Sequence, residues 1–333
     1  MTLEPRNASR QAQLTRAFVG LFLSFLLSFH VVTAVHEVLG HGFLAWSTGA
    51  TITDVYLGWA GGAGYVRWDA PPLLGDMRRL VAWGGIGVTF IFGAAAFCVN
   101  RRCRPARWGK LVWWTLAVCS WGSAFGYAVL GLHYKYGDPR RSAILLDEQG
   151  LLGVMVGALI MVQGALFFLA STELAGIAAA WWHTDSRRRR VALVLGLVLA
   201  SSGSVALLNA VEAETTQRRK LALIQQSEAE RGAQQWLDEE LDRRRQFGEP
   251  EPTLAERTEL LARRRRELKP WPLSWSLYFP GLFLASVAGL GCRTVLPRAS
   301  ISVPVLPWWL WVTSLGSIVV AGFVSAAWQA GPG

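Results

Sequence analysis

The chain has 333 residues, of which 52% are hydrophobic and only 17% are charged, and its formal net charge is +10. This composition is too apolar for the surface of a water-soluble protein and is typical of a membrane protein. The positive charge does not indicate nucleic-acid binding, because the basic excess lies in short connectors between long apolar runs.

Seven uncharged apolar runs are each long enough to cross about 30 Å of hydrocarbon as a helix. We therefore predict an all-α fold, a polytopic transmembrane helical bundle of about seven spans embedded in the lipid bilayer. The apolar pattern of the fourth run continues past Glu173, so the part of this run that lies in the hydrocarbon layer can be shifted along the chain. This favours a position of Glu173 at the membrane edge over an intramembrane position. The runs are residues 17–35, 80–99, 111–132, 151–172, 191–211, 271–291 and 303–328.

The basic residues of the short connectors predict the orientation of the bundle. The amino-terminal segment and the second, fourth and sixth connectors hold 14 lysines and arginines, whereas the short connectors of the opposite side hold 6. We therefore expect the amino terminus in the cytoplasm, with a bacterial inner membrane as the location.

One hydrophilic segment, residues 212–269, is long enough to fold outside the bilayer, and it is neutral, with 13 acidic and 13 basic residues. Residues 217–246 are rich in helix formers, and the glycine and prolines of residues 248–252 interrupt them. Thr-Leu-Ala-Glu at residues 253–256 is a capping box that starts a second helix. We predict an extramembrane helical hairpin here and regard it as a candidate surface for a protein partner.

The end of the first run carries a polar motif, Val-His-Glu-Val-Leu-Gly-His-Gly, at residues 35–42. Two imidazoles and a carboxylate at a membrane boundary are costly unless they have a function. Neutral imidazole nitrogens bind zinc at about 2 Å, and a neighbouring glutamate can accept a proton from an activated water. His36, Glu37 and His41 are therefore candidates for a metal site, although the same side chains could simply hydrogen-bond to neighbouring helices.

The spacing of the two histidines is unusual. In the HExxH motif they stand four residues apart and share one face of an α-helix. His36 and His41 stand five apart, which on an ideal α-helix turns the rings about 140° from one another. A π-helical turn at the permissive Gly40 would bring both rings to one face, and we favour this arrangement. The alternative is that Glu37 and His41, four residues apart, bind the metal with His36 as a partner.

Asp138 is the candidate for a third ligand. It follows the third run, and the first and third runs cross the membrane in the same direction, so their ends emerge on the same face. An aspartate before Pro139 is also a common turn former. His133 on the same connector is a competing ligand, whereas His30 and His183 are less suitable, the first by its distance along the helix and the second by the adjoining arginines.

These residues resemble the first motif of the site-2 protease family of intramembrane zinc metalloproteases: His-Glu, then Gly-His-Gly-Phe-Leu-Ala and Thr-Gly-Ala, within residues 36–50. Gly-Asp at residues 137–138 is similar to a motif of a divergent bacterial branch, and the glycines of residues 82–87 resemble its second span. The resemblance covers residues 17–149. The extra residue between the histidines, and the lack of an Asn-Pro-x-Pro-x-x-Asp-Gly motif near the aspartate, depart from the family pattern.

The resemblance implies a membrane-embedded zinc metalloprotease that hydrolyses peptide bonds of membrane-anchored proteins or peptides. Zn2+ is the implied cofactor, Glu37 is the implied general base, and the implied metal ligands are His36, His41 and Asp138. The resemblance implies a metalloprotease core at residues 1–149. The apolar runs and the hydrophilic segment divide the rest of the chain into two further spans at 150–211, the charged hairpin at 212–269 and two last spans at 270–333.

Two other classes of function are compatible with the sequence. A catalytically inactive scaffold or assembly protein would keep a vestigial metal motif and use the charged hairpin to bind its partner. A transporter would place the polar cluster in its pathway, but the lack of repeated halves disfavours it. Site-2 proteases usually place the metal toward the cytoplasm, whereas the count of basic residues places this motif on the outer face.

The glycine-rich stretch at residues 60–67 lies between the first two runs. It could offer a backbone edge to which an extended substrate adds as a strand. A plain flexible loop is the interpretation that we favour.

Overall fold

A computed structural model of the full chain describes residues 5–62, 64–69, 75–105, 107–134, 138–181, 187–212, 237, 241, 244–245, 250, 252–267, 275–292 and 303–329. Within them the chain folds into helices joined by short connectors and one two-stranded sheet. The helices are α1 (Pro5–Ala34), α2 (Phe43–Ser47), α3 (Gly75–Arg102), α4 (Trp108–Tyr134), α5 (Arg140–Glu148), α6 (Leu152–Trp181), α7 (Arg187–Glu212), α8 (Leu254–Glu267), α9 (Trp275–Cys292) and α10 (Trp308–Gln329). The strands are β1 (Thr51–Leu57) and β2 (Gly64–Asp69), and a π-helical segment, Val35–Gly42, joins α1 to α2.

Among the described residues, six helical stretches are long and apolar enough to span a membrane. The prediction of an all-α, polytopic membrane bundle is therefore confirmed, because only lipid matches helices of this length and composition. The six stretches are Gln11–Ser47, Leu80–Arg102, Trp108–Tyr134, Leu152–Trp181, Val191–Glu212 and Trp308–Ala326.

The sixth predicted run differs from the other six. Its helix α9 has a described apolar stretch of only Tyr278–Leu290 and contains Pro280. The whole helix has 18 residues and is therefore about 27 Å long, close to the thickness of the hydrocarbon layer. Residues 271–274 of the predicted run lie outside the described part of the chain.

Helix α4 lies at the centre of the bundle, where it packs against α1, α3 and α6. The buried indole of Trp114 donates a hydrogen bond to the Ala170 carbonyl oxygen of α6 at 2.8 Å. Ser28 of α1 donates to the Thr115 hydroxyl of α4 at 2.9 Å. Hydrocarbon offers polar groups no partners, so these contacts satisfy the side chains and also join the spans.

A buried ion pair joins α4 to α6 near the end of α3. Lys110 Nζ lies 3.0 Å from Glu173 Oε2 and donates to the Asn100 carbonyl oxygen at 2.9 Å. Arg101 Nε is 3.9 Å from the other carboxylate oxygen. Glu173 is therefore level with the ends of two spans, as a membrane-edge position requires, but protein rather than solvent surrounds it.

Strands β1 and β2 form an antiparallel hairpin between the first two spans, with Val55 paired to Val66. The interpretation of residues 60–67 as a plain flexible loop is therefore wrong from Gly64 onward, where the chain is a strand. The alternation of β-branched and aromatic residues explains the strands, since alternate side chains cover opposite faces of a hairpin.

The turn between the strands is held by the bundle. The Glu212 carboxylate at the end of α7 accepts hydrogen bonds from two backbone N–H groups of the turn, including that of Trp59. His30 of α1 places Nε2 2.8 Å from the Trp59 carbonyl oxygen. Ser325 of α10 exchanges hydrogen bonds with the backbone of Leu57 at 2.9 and 3.0 Å. Three spans therefore fix the position of the hairpin.

Helix α8 begins at the predicted capping box. The Thr253 N–H donates to Glu256 Oε2 at 2.7 Å, and the Glu256 N–H donates to Thr253 Oγ1 at 3.3 Å. The hydrogen bonds from Thr253 lower the pKa of Glu256 below its usual range. The start of this helix is confirmed, whereas the first helix of the hairpin, at residues 217–246, lies outside the described residues apart from a few positions.

We expect Lys110→Met to lower the free energy of unfolding by about 3 kcal/mol, because it removes the buried cation of Glu173 and leaves only the exposed Arg101, 3.9 Å away. Lys110→Met combined with Glu173→Leu should be less damaging than the single change, since no charge is then left unpaired. Unfolding of the purified protein in detergent micelles measures both. A single variant as stable as the wild type would show that this pair does not stabilise the packing of α4 on α6.

Candidate metal centre

The segment Val35–Gly42 is a π-helix of 8 residues. In a π-helix each backbone N–H bonds to the carbonyl five residues back, so that one turn holds an extra residue. The Phe43 N–H bonds to the Val38 carbonyl oxygen in this way. The predicted π-helical turn is confirmed, and it brings the rings of His36 and His41 to one side with their centroids 4.9 Å apart.

The π-helical segment crosses helix α3 at a very short distance. A Cβ atom on Gly40 would lie 2.8 Å from the Gly85 nitrogen, and one on Gly84 would lie 2.6 Å from the Gly40 carbonyl oxygen. Real Cβ atoms do not come this close to backbone, so the two helices approach only because all three residues are glycine. This contact places both histidines against α3.

Three atoms that could bind a metal ion converge between the π-helical segment and the connector after α4. His41 Nε2 lies 3.0 Å from Asp138 Oδ2 and 3.2 Å from His36 Nε2, and the third side of the triangle, from His36 Nε2 to Asp138 Oδ2, is 3.7 Å. A point about 2 Å from all three atoms lies near the centre, and about 2.0–2.1 Å is the length of a bond from zinc to these donors. The three residues could therefore hold a metal ion.

The outer ring nitrogens determine the tautomer of each histidine. His41 Nδ1 lies 2.8 Å from the Val81 carbonyl oxygen, which can only accept, so His41 carries a proton on Nδ1. His36 Nδ1 lies 3.2 Å from Thr89 Oγ1, and that hydroxyl donates its own proton to the Gly85 carbonyl oxygen at 2.6 Å. Thr89 therefore accepts from His36. In the neutral rings both Nε2 lone pairs are left to point toward the centre of the triangle.

This arrangement of acceptors requires a positive charge at its centre. In these tautomers the two Nε2 atoms and the carboxylate oxygen of Asp138 all present lone pairs to one another within 3.7 Å. His36 and His41 are buried, so water screens their mutual repulsion poorly. A proton or a metal cation between the three atoms removes the repulsion, and the donor set therefore fits a cation site.

Asp138 stands in the turn between α4 and α5, where its backbone N–H donates to the Tyr127 hydroxyl at 3.4 Å. The same tyrosine ring packs edge-on against His36 with the centroids 5.6 Å apart. Burial raises the pKa of the Asp138 carboxyl. When a proton occupies the space between the three atoms, hydrogen bonds from His36 and His41 and the positive charge that the rings then carry outweigh burial and lower the pKa to about 2. The carboxylate is therefore ionised at neutral pH, as a metal ligand must be.

Gly85 leaves open the space that an ion would occupy. A Cβ atom at this position would lie 2.7 Å from His36 Nε2 and closer still to His41 Nε2. Trp68 of β2 stacks on the His41 ring at a centroid distance of 6.3 Å. Both α3 and the hairpin therefore contribute residues next to the site.

Glu37 lies beside the three converging residues but is not one of them. Its carboxylate accepts a hydrogen bond from the backbone N–H of Val66 in β2, and it is close enough to His36, His41 and Asp138 to interact with their charges. Among the described residues, the atoms that converge on one point belong to those three alone. The structure therefore does not support the alternative in which Glu37 and His41 bind the metal with His36 as a partner.

The other histidines lie outside this group. His133 is buried at the end of α4 with its ring against Tyr134, and within the described part of the chain it does not join the converging set. His30 places Nδ1 and Nε2 each 2.8 Å from a backbone carbonyl oxygen. His183 lies outside the described residues.

Three residues that lie next to the ligands, Thr89, Tyr127 and Trp68, were not predicted from the sequence. Thr89 comes one helical turn after Gly85, so a hydroxyl on the glycine-bearing face of an apolar span was a usable signal. Trp68 gave no such signal, because its place beside His41 depends on a hairpin that had not been predicted.

Comparisons of the chain with models of protein families, with curated proteins and with solved structures find no match. Two imidazoles and one carboxylate leave one position of a four-coordinate metal open to water or to a substrate.

We expect Gly85→Ala to reduce the metal content of the purified protein at least about tenfold, because the added methyl group would crowd the Nε2 atoms of His36 and His41 and the ion between them. Gly87→Ala is the matched control, since a Cβ atom on Gly87 meets nothing within 4 Å. Elemental analysis gives the ratio of metal to protein in both variants. Equal metal contents would contradict the placement of the ion.

We expect Thr89→Val to weaken metal binding about 10–100-fold, because it removes the acceptor that orients His36 and favours its Nδ1–H tautomer. Thr89→Ser keeps the hydroxyl and should bind metal as the wild type does. Competition with a chelator of known affinity measures the difference. A valine variant that competes as well as the serine variant would show that the hydroxyl does not support the site.

Proposed function

We propose that the protein is an intramembrane zinc metalloprotease that hydrolyses peptide bonds of membrane-anchored proteins or peptides. One observation carries the proposal: two imidazole nitrogens and a carboxylate oxygen converge within a bundle of membrane-spanning helices, and a second carboxylate, Glu37, lies beside them. The same residues carry the resemblance of the sequence to the site-2 protease family.

Zinc is the proposed metal because the donor set suits it. Two imidazoles with one carboxylate are a frequent ligand set of catalytic zinc, whereas magnesium and calcium prefer all-oxygen sites. A bound zinc ion supplies Lewis acidity, which activates water near neutral pH and polarises a carbonyl group. The hydrogen bonds of His36 to Thr89 and of His41 to Val81 would hold the rings in the orientation that this chemistry needs.

Glu37 is proposed as the general base. Its carboxylate would accept a proton from water as the water oxygen bonds to the scissile carbonyl carbon. It would then deliver that proton to the amine nitrogen as the carbon–nitrogen bond breaks, so that hydrolysis needs no further reactant. The hydrogen bond from the Val66 N–H would keep the carboxylate turned toward the site.

The substrate would have to present an extended backbone, because a helix keeps its carbonyl groups in internal hydrogen bonds. Strand β2 supports such binding, since Val66 contacts Glu37 and Trp68 stacks on His41. An extended peptide can add to the edge of a strand. Segments that unwind close to a membrane boundary are therefore the proposed substrates.

The proposed location is a bacterial inner membrane, and the distribution of basic residues supports a cytoplasmic amino terminus. In that orientation the metal centre would lie toward the outer face, because it follows the first span. The charged segment at residues 212–269 would then also lie on the outer side and is the proposed contact for a protein partner.

Glu37→Gln tests the enzymatic proposal. We expect this variant to retain its zinc and to lose cleavage by at least about 100-fold, the usual contribution of a general base. His41→Ala and Asp138→Asn should lose both the metal and the cleavage. New protein amino termini in membranes from cells that make each variant reveal the products, and zinc analysis of the purified proteins gives the metal content.

Glu256→Gln is the matched control, because it removes an exposed carboxylate on α8 and should leave both readouts unchanged. A zinc-loaded wild type that yields the same set of membrane amino termini as Glu37→Gln would contradict the protease proposal. That result would favour the scaffold function instead.

A further inference from the structure

A cavity lies at the end of the bundle away from the metal centre. It has a volume of about 760 Å³ and opens between the α3–α4 turn and the residues before α10. Its main lining residues are Arg102, Arg104, Arg107, Trp108, Pro307 and Trp309.

The cavity is strongly basic. The three arginines are exposed, and the described lining contains no acidic residue. Lys110, a fourth basic residue of the lining, is already paired with Glu173. Within the described part of the chain, Arg102, Arg104 and Arg107 form no salt bridge, so the positive charge of the cavity comes from these three guanidinium groups.

Two helices begin at this cavity, α4 at Trp108 and α10 at Trp308. The first backbone N–H groups of a helix have no partner within the helix, and they carry partial positive charge. Both helix ends therefore add to the attraction for an anion. Guanidinium groups match the oxygen atoms of a phosphate with paired hydrogen bonds, so phosphate is the anion that this chemistry favours.

The position of the cavity along the membrane normal favours a lipid over a free anion as the ligand. Three candidate spans, Leu80–Arg102, Trp108–Tyr134 and Trp308–Ala326, all have an end here, which is the level of the lipid headgroups. Apolar side chains of α10 and of the residues just before it are largely exposed, with Val305 at 75%, Trp308 at 76% and Val312 at 59%. An acyl chain can cover this surface, whereas a free phosphate cannot.

We propose that this cavity binds the phosphate headgroup of an anionic phospholipid, with its acyl chains along α10. The proposal does not depend on the protease function. The Trp108 indole donates to the carbonyl oxygens of Pro304 and Val305 at 3.3 and 3.1 Å, and its ring packs on Trp181 at 4.6 Å. A lipid bound here therefore contacts the point where α4, α6 and the start of α10 meet, and it should stabilise their packing.

The test uses the delipidated full-length protein in detergent, titrated with phosphatidylglycerol and observed by native mass spectrometry. The wild type should bind one phosphatidylglycerol molecule more tightly than any others, and more tightly than it binds phosphatidylcholine. The combined variant Arg102→Gln, Arg104→Gln and Arg107→Gln should bind that molecule at least about tenfold more weakly, because charge-assisted hydrogen bonds are lost.

The charge-matched control changes Arg187, Arg188 and Arg190, at the start of α7, to glutamine, and it should keep wild-type affinity. If the triple variant proves unstable, Arg104→Glu alone, with an unchanged unfolding temperature in detergent, should give the same loss. Equal loss in the control, equal binding of phosphatidylcholine, or unchanged affinity of the variants would overturn the proposal. Displacement of the lipid by millimolar inorganic phosphate would also overturn it and would identify the ligand as a free anion.

Discussion

Two imidazoles five residues apart can share one cation only if the helix that carries them takes a wider turn. In this chain the turn is the π-helical segment Val35–Gly42, and the glycine contact between that segment and α3 holds it in place. Without the wider turn the two rings would point in different directions, and the carboxylate of Asp138 would meet only one of them. The convergence of the three donors, and every chemical step proposed from it, depends on this local geometry.

The rest of the bundle supplies the hydrogen-bond partners that buried polar groups need in a largely apolar protein. Buried polar groups without partners are costly, and each ring nitrogen on the outside of the site has one, Thr89 for His36 and Val81 for His41. In the hairpin, the backbone N–H of Val66 donates a hydrogen bond to Glu37. Glu212, at the end of a distant span, holds the turn of that hairpin in place. The groups left facing inward are the ones that a cation would satisfy.

The sequence was most informative where one physical constraint dominates. Uncharged runs of sufficient length predicted six of the spans, because hydrocarbon accepts little else, and the five-residue spacing of the histidines predicted the π-turn because an α-helix could not align them. Contacts between distant positions could not be predicted in this way. The packing of Trp68 on His41 requires a hairpin that is held by Glu212 and Ser325, and nothing local to Trp68 encodes those partners. Pro280, which lies inside α9, did not prevent that run from forming a helix.

The most direct measurement is zinc-edge X-ray absorption spectroscopy of the purified wild-type protein, because it reports the atoms that surround the metal. We expect one zinc ion per chain, with two imidazole nitrogens and one carboxylate oxygen at about 2.0–2.1 Å, and a further light atom completing the coordination. A spectrum with a single imidazole, with sulfur ligands, or with no zinc above background would contradict the shared site of His36, His41 and Asp138.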